Sequence, residues 1–246
     1  MSRRMVYDAP TRVLHALFAL LFIIAFTIAK TVDHESLTFS YHMLAGLTLS
    51  FVACLRIAWG LVGTRYARFR SLPLRPSELK AYFISIFSGQ TKTWSGHNPA
   101  SGWSAILFIG LALAMGLSGL MMSAGLGGHT LEDLHELMAN SFALLALIHI
   151  AGIAVHSLRH NDPIALSMID GKKNDVPEES AIREKRASFA LAAIALVLAT
   201  ALHLIYHFDP STRNSIFRCL SPVRGRERIV SKCSRTHFKT PIPPKM

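Results

Sequence analysis

The amino-acid sequence predicts an all-α protein that crosses a membrane several times, as a four-helix bundle with a fifth transmembrane helix. Three observations lead there. The 246 residues are 51% hydrophobic and only 17% charged, too apolar for an ordinary soluble domain. Five runs reach the length of about 20 apolar residues that a spanning helix needs. The basic residues behind the formal charge of +11 stand in blocks between those runs. Such punctuation marks a polytopic membrane protein rather than a nucleic-acid-binding surface.

The first run, residues 12–31, carries His15 near its start. No small-residue cleavage site follows it, so it reads as a span and not as a signal peptide. The second, residues 42–63, opens on His42, has Gly46 one turn below, and contains Arg56 about seven residues before its end. Residues 64–102 are polar, rich in Pro, Gly and charge, and read as a connecting loop. Within them "GHNPASG" is a turn, with Asn98-Pro99 as the breaker and His97 flanking the loop. The third run, residues 103–124, has no histidine; its Gly110, Gly116 and Gly119 suit close helix packing or the approach of a flat ligand. The fourth, residues 135–157, carries His135, His149 and His156. Residues 158–186 form a second polar loop, and residues 187–207 a fifth uncharged run. The basic tail, residues 208–246, lacks helical periodicity and is expected to be disordered. The chain thus divides into a membrane domain over 1–173, a linker and fifth span over 174–207, and the tail.

Charge placement sets the expected orientation. The N-terminus carries Arg3, Arg4 and Arg12, and both long loops are rich in Lys and Arg, whereas residues 31–41 and 125–134 contain none. The positive-inside rule then puts the N-terminus and both long loops in the cytoplasm. The fifth span departs from this pattern, because it carries a tail with nine Lys or Arg to the opposite face. Three cysteines, Cys54, Cys219 and Cys233, show neither C-x-x-C nor C-x-x-C-H spacing. Covalent c-type haem attachment and a cysteine zinc site are therefore not expected.

Histidines inside apolar helices need partners, since a buried imidazole without one costs free energy. His135 and His149 are 14 residues apart. That is about 40° short of whole turns and about 21 Å of rise, so both lie on one face at two depths. His156 follows on the same face. This spacing suits two cofactors stacked through a bilayer, and it does not suit zinc, whose ligands converge on one tetrahedral point. Depth pairs His42 with His135 near one surface, and His15 with His149 or His156 near the other. Bis-histidine ligation of this kind gives six-coordinate b-type haem, suited to electron transfer. Arg56, 14 residues after His42, lies near the inner pair. It either meets haem propionates or snorkels to the interface, and the two roles are compatible. Trp59, Trp94 and Trp103 are expected to anchor the inner interface.

Four stretches, "VYDAPTRVLHALFALL", "YHMLAGLTLSFVACLRIAWGLVGTRYARF", "GHNPASGW" and "LHELMANSFALLALIHIAGIAVHSLRHND…MIDGKK", resemble the prokaryotic cytochrome b-561 family. This group includes the b-type cytochrome subunits of nickel–iron hydrogenases. The resemblance runs from about residue 6 to 173 and implies a four-helix membrane bundle with two b haems. It implies His15, His42, His135 and His149 as the iron ligands, which selects His149 over His156. His156 is then a partner for a propionate or a quinone, or an interfacial residue.

The leading functional expectation is a b-type cytochrome of a bacterial inner membrane that passes electrons between the quinone pool and a redox partner. The family's partners include a periplasmic c-type cytochrome, a hydrogenase small subunit or another dehydrogenase subunit. A second reading is a superoxide:quinone oxidoreductase using the same haem pair. It would need a basic outer surface to steer an anion, yet the outer loops carry Asp33, Glu35, Glu132 and Asp133. A third is a non-redox membrane anchor or metal carrier, which a haem spectrum would exclude.

Overall fold

The structure is a computed structural model that describes residues 3–33, 36–88, 94, 96–160, 164–174 and 176–207. Its helices are α1 (Ala9–Thr31), α2 (Ser40–Val62), α3 (Pro76–Ser88), α4 (Pro99–Ser123), α5 (Gly128–His160), α6 (Ser167–Asp170) and α7 (Ala187–His207). Two short strands, β1 (Arg4–Met5) and β2 (Lys172–Lys173), complete it. Helices α1, α2, α4, α5 and α7 are each long and apolar enough to cross a membrane. The all-α polytopic class is as expected, and the basic tail lies outside the described residues.

Polar caps extend the helices beyond the apolar runs. Helix α1 begins at Ala9, before residue 12, because the Asp8 carboxylate accepts from Thr11 N at 2.9 Å and Pro10 suits the first turn. Helix α4 begins at Pro99, before residue 103, for the same reason: Asn98 Oδ1 accepts from Ser101 N at 2.8 Å. Helix α5 starts at Gly128, before residue 135, and runs for 33 residues. It is about 50 Å long against a hydrocarbon core of about 30 Å. Its first turns are polar, with Glu132 and Asp133, so apolar content does not reveal them.

The stretch 64–102, expected to be a connecting loop, contains the 13-residue helix α3. Pro76 begins it and Glu78 occupies its first turn, both favourable at a helix start. It is too short to span a membrane. It packs on α4, Asn98 Nδ2 donates to Tyr82 Oη at 3.2 Å, and Phe83 and Ile84 are exposed.

The bundle packs α1 on α2, α2 on α4 and α4 on α5, with α7 across the outside of α1 and α2. Its centre is Phe22, Leu49, Ala53, Ala112, Met115 and Phe142, drawn from α1, α2, α4 and α5. Gly116 sits against Ser50 of α2, leaving no room for a Cβ, so this glycine serves close helix packing. Helix α7 places Ala193 and Val197 against Leu14 and Val52. Leu20, Ile23, Leu117, Leu144, Leu147, Leu198 and Leu202 remain exposed. In water that would be unfavourable, but on spanning helices it is the lipid-facing surface.

One end of the bundle is closed by a clasp. Strands β1 and β2 pair antiparallel, Arg4 opposite Lys173 and Met5 opposite Lys172. Val6 N and Tyr7 N both donate to Gly171 O, at 2.8 and 3.1 Å, and Ile182 N donates to Met5 O at 2.9 Å. Gly171 has φ +79° and a Cβ there would strike Tyr7 O, so only glycine fits. Val6, Tyr7, Tyr66 and Val176 form a buried cluster beneath. Arg3 pairs with Asp170 and Arg4 with Glu178. Below, this is the clasp end; the opposite end carries the α1–α2 and α4–α5 turns and the last residue of α7.

Candidate functional site

The far-end pair, His42 on α2 and His135 on α5, has ring centroids 6.1 Å apart at 76°. His42 Nδ1 lies 2.9 Å from Ala25 O. A carbonyl only accepts, so Nδ1 carries the hydrogen and Nε2 keeps its lone pair. His135 Nδ1 lies 2.8 Å from Ser118 Oγ. The Ser118 hydroxyl donates to Met115 O at 3.0 Å, so its oxygen accepts from His135 Nδ1–H. Both imidazoles are thereby held as Nε2 bases by partners that leave that nitrogen free, the arrangement expected of metal-ligating histidines.

The spacing fits a shared ion. With metal–imidazole bonds of about 2 Å, two rings on opposite sides of one ion have centroids about 6 Å apart. Gly46, one turn along α2 from His42, would present an added Cβ to open space, so a flat group can approach the backbone there. A Cβ added at Gly119 would lie 3.8 Å from His135 Cε1, in ordinary contact with the ring. The donor set and this cradle fit a haem held by two axial histidines.

At the clasp end His15 of α1 lies within electrostatic reach of His149 of α5 and of Arg56 of α2. Arg56 does not extend into solvent. One terminal nitrogen donates to Ala67 O at 3.1 Å, and its guanidinium lies 5.5 Å from the Phe69 ring centroid. His156 is half-buried two turns further along α5. The 14-residue spacing of His135 and His149 lies on one unbroken helix, so the two pairs sit at separate depths.

Three features around these pairs were missed by sequence reasoning. The first is Ser118, a small polar residue buried in an apolar span, which was the available signal. The second is His97. It stacks edge-on to Tyr7 at 5.2 Å. Burial pushes its imidazole down to about 3, with contributions from Arg56, Lys173, His15 and His149. The "GHNP" turn therefore brings a histidine to the clasp-end pair instead of merely flanking a loop. Lys173, itself buried, donates to Trp94 O at 2.8 Å and Gly96 O at 3.0 Å and so holds that turn in place.

The third is an aromatic layer between the two pairs. Phe22 and Phe142 stack at 3.9 Å, Phe18 lies 5.9 Å and Phe108 4.8 Å from Phe142, and Phe108 meets the His149 ring edge-on at 5.9 Å. Through these side chains α1 meets α5. Trp59, expected at the inner interface, is at the clasp end; its Nε1 donates to the buried Asp8 carboxylate at 3.2 Å. Thr64 Oγ1 donates to the same carboxylate at 2.6 Å.

A family model described as prokaryotic cytochrome b561 matches residues 6–171. No curated protein and no solved structure gives a significant match.

Proposed function

The chain belongs to the prokaryotic cytochrome b561 family, and from that premise we propose which residues carry its electrons and in which direction across the membrane they stand. Membership makes it a multi-pass membrane b-type cytochrome engaged in electron transfer. In our reading it holds two b haems, one between His42 and His135 and the other between His15 and His149. The observation that carries this is the far-end pair: 6.1 Å between ring centroids, with both Nδ1 atoms already partnered.

Bound haem would supply a one-electron iron couple, and the four histidines would be the residues that hold it. The protein's own contribution is positional and electrostatic. Ala25 O and Ser118 fix the tautomer and tilt of the far-end imidazoles and raise their basicity as ligands. Arg56 places a positive charge beside His15, where it favours the reduced state and suits a propionate. The Phe18–Phe22–Phe108–Phe142 layer fills the space between the pairs with apolar rings, keeping water from the middle of the bundle.

The clasp end carries the basic loops, and we assign it to the cytoplasmic face of a bacterial inner membrane. The far-end pair then faces the periplasm. Electrons pass between the quinone pool and a redox partner, such as a periplasmic c-type cytochrome or a hydrogenase or dehydrogenase subunit.

The test is the purified full-length protein. A dithionite-reduced minus oxidised spectrum is expected to show b-type Soret and α bands, with two haems per chain by pyridine haemochrome assay. A colourless preparation, or one haem per chain, overturns the proposal.

A further inference from the structure

One pair of histidines takes no part in the site above. His203 and His207 lie four residues apart at the last turn of α7, both exposed, with ring centroids 4.4 Å apart. The two spacings in the molecule differ in a chemically meaningful way. Rings on opposite sides of an ion stand about 6 Å apart, whereas rings at adjacent corners, 90° apart, stand about 4.5 Å apart for metal–nitrogen bonds of about 2 Å. The centroid separation of the far-end pair matches the first spacing and that of the α7 pair the second.

We propose that His203 and His207 form a two-imidazole site for a divalent transition-metal cation, Cu2+ above Zn2+. Residues i and i+4 share one helix face, so the backbone already holds the rings together. The pair occupies the C-terminal turn of a 21-residue helix, where the macrodipole favours a cation. No Lys or Arg occurs anywhere in α7 to oppose one. At about 1.5 Å per residue α7 is about 30 Å long, so its last turn reaches the water interface. Imidazole nitrogen selects Cu2+, Zn2+ or Ni2+ over Mg2+ and Ca2+, and Cu2+ binds tightest in that series. Among the described residues no group of three or more His, Cys, Asp or Glu could hold a metal ion, and the proposed site asks only two imidazoles of the protein. The ion is exchangeable, unlike one locked between helices.

The site is independent of the haem assignment and is tested separately. Cu2+ is titrated into the tag-free full-length protein with Cys54, Cys219 and Cys233 alkylated, and the copper EPR spectrum is read. One equivalent with superhyperfine structure from two nitrogens is expected. His203→Ala or His207→Ala should weaken binding by about tenfold or more, and the double substitution should abolish the two-nitrogen spectrum. An unchanged far-ultraviolet circular dichroism spectrum and thermal midpoint show that the variants fold. Persistence of that spectrum in the double variant would place copper on other histidines, such as His237 in the tail, and overturn the proposal. Absence of stoichiometric binding in the unsubstituted protein would overturn it as well.

Discussion

The two histidine pairs share one long helix, α5, which gives each of them a single ring, yet they are built from different materials. The far-end pair is made by helices alone: α2 and α5 give the rings, while a backbone carbonyl of α1 and a serine of α4 orient them. No charged side chain takes part in those hydrogen bonds. The clasp-end pair lies among loop-borne and charged groups: His97, on the turn before α4, is within electrostatic reach of His15, His149, Arg56 and Lys173. Helix-borne partners fix geometry closely, which suits the tuning of a ligand. Loop-borne charges set local potential, which suits the anionic edge of a cofactor.

The largest test of this contrast removes the proposed ligands. His42→Ala or His135→Ala should each leave one haem per chain, the clasp-end one. His15→Ala or His149→Ala should leave only the far-end one, as read by haemochrome assay and resolved α bands.

The next test removes the layer both ends share. Phe142→Ala opens a cavity between the pairs and should cost about 3–5 kcal/mol of stability, broadening both haem signals, by thermal denaturation followed in the Soret region. An effect confined to one haem would break the symmetry assumed for the layer.

Ser118→Ala should act at the far end only. Loss of a histidine-orienting partner typically costs about 10–100-fold in affinity, measurable as haem loss to an acceptor protein, with the other haem unaffected. Arg56→Gln should lower the midpoint potential of the clasp-end haem alone, because a nearby positive charge stabilises the reduced form; redox titration reads this. The smallest effect belongs to His156→Ala, which should keep both haems. If it loses one while His149→Ala keeps two, the clasp-end ligand is His156.

Much of this was legible in the sequence because lipid imposes a simple rule. Apolar length reveals spans, and a histidine within one stands out against leucine and alanine. The rest is hidden for physical reasons. The ring partner of His42 is a backbone carbonyl, Ala25 O, which no side-chain pattern encodes. His97 and Lys173 come together across 76 residues of sequence through a clasp built on backbone pairing. Helix α3 escapes because 13 residues cannot cross a bilayer, and the length criterion looks only for those that do. The early start of α5 escapes because its first turns are polar.

The clasp also orders the protein's biogenesis. Arg4 waits for Lys173 and Met5 for Ile182, so the first residues to leave the ribosome stay untethered until four spans have been made. At ordinary elongation rates that interval is on the order of ten seconds. His15 follows Asp8, whose carboxylate Trp59 and Thr64 close over. The helix that bears His15 is therefore seated in stages, with its amino end locked only when the fourth membrane helix has emerged.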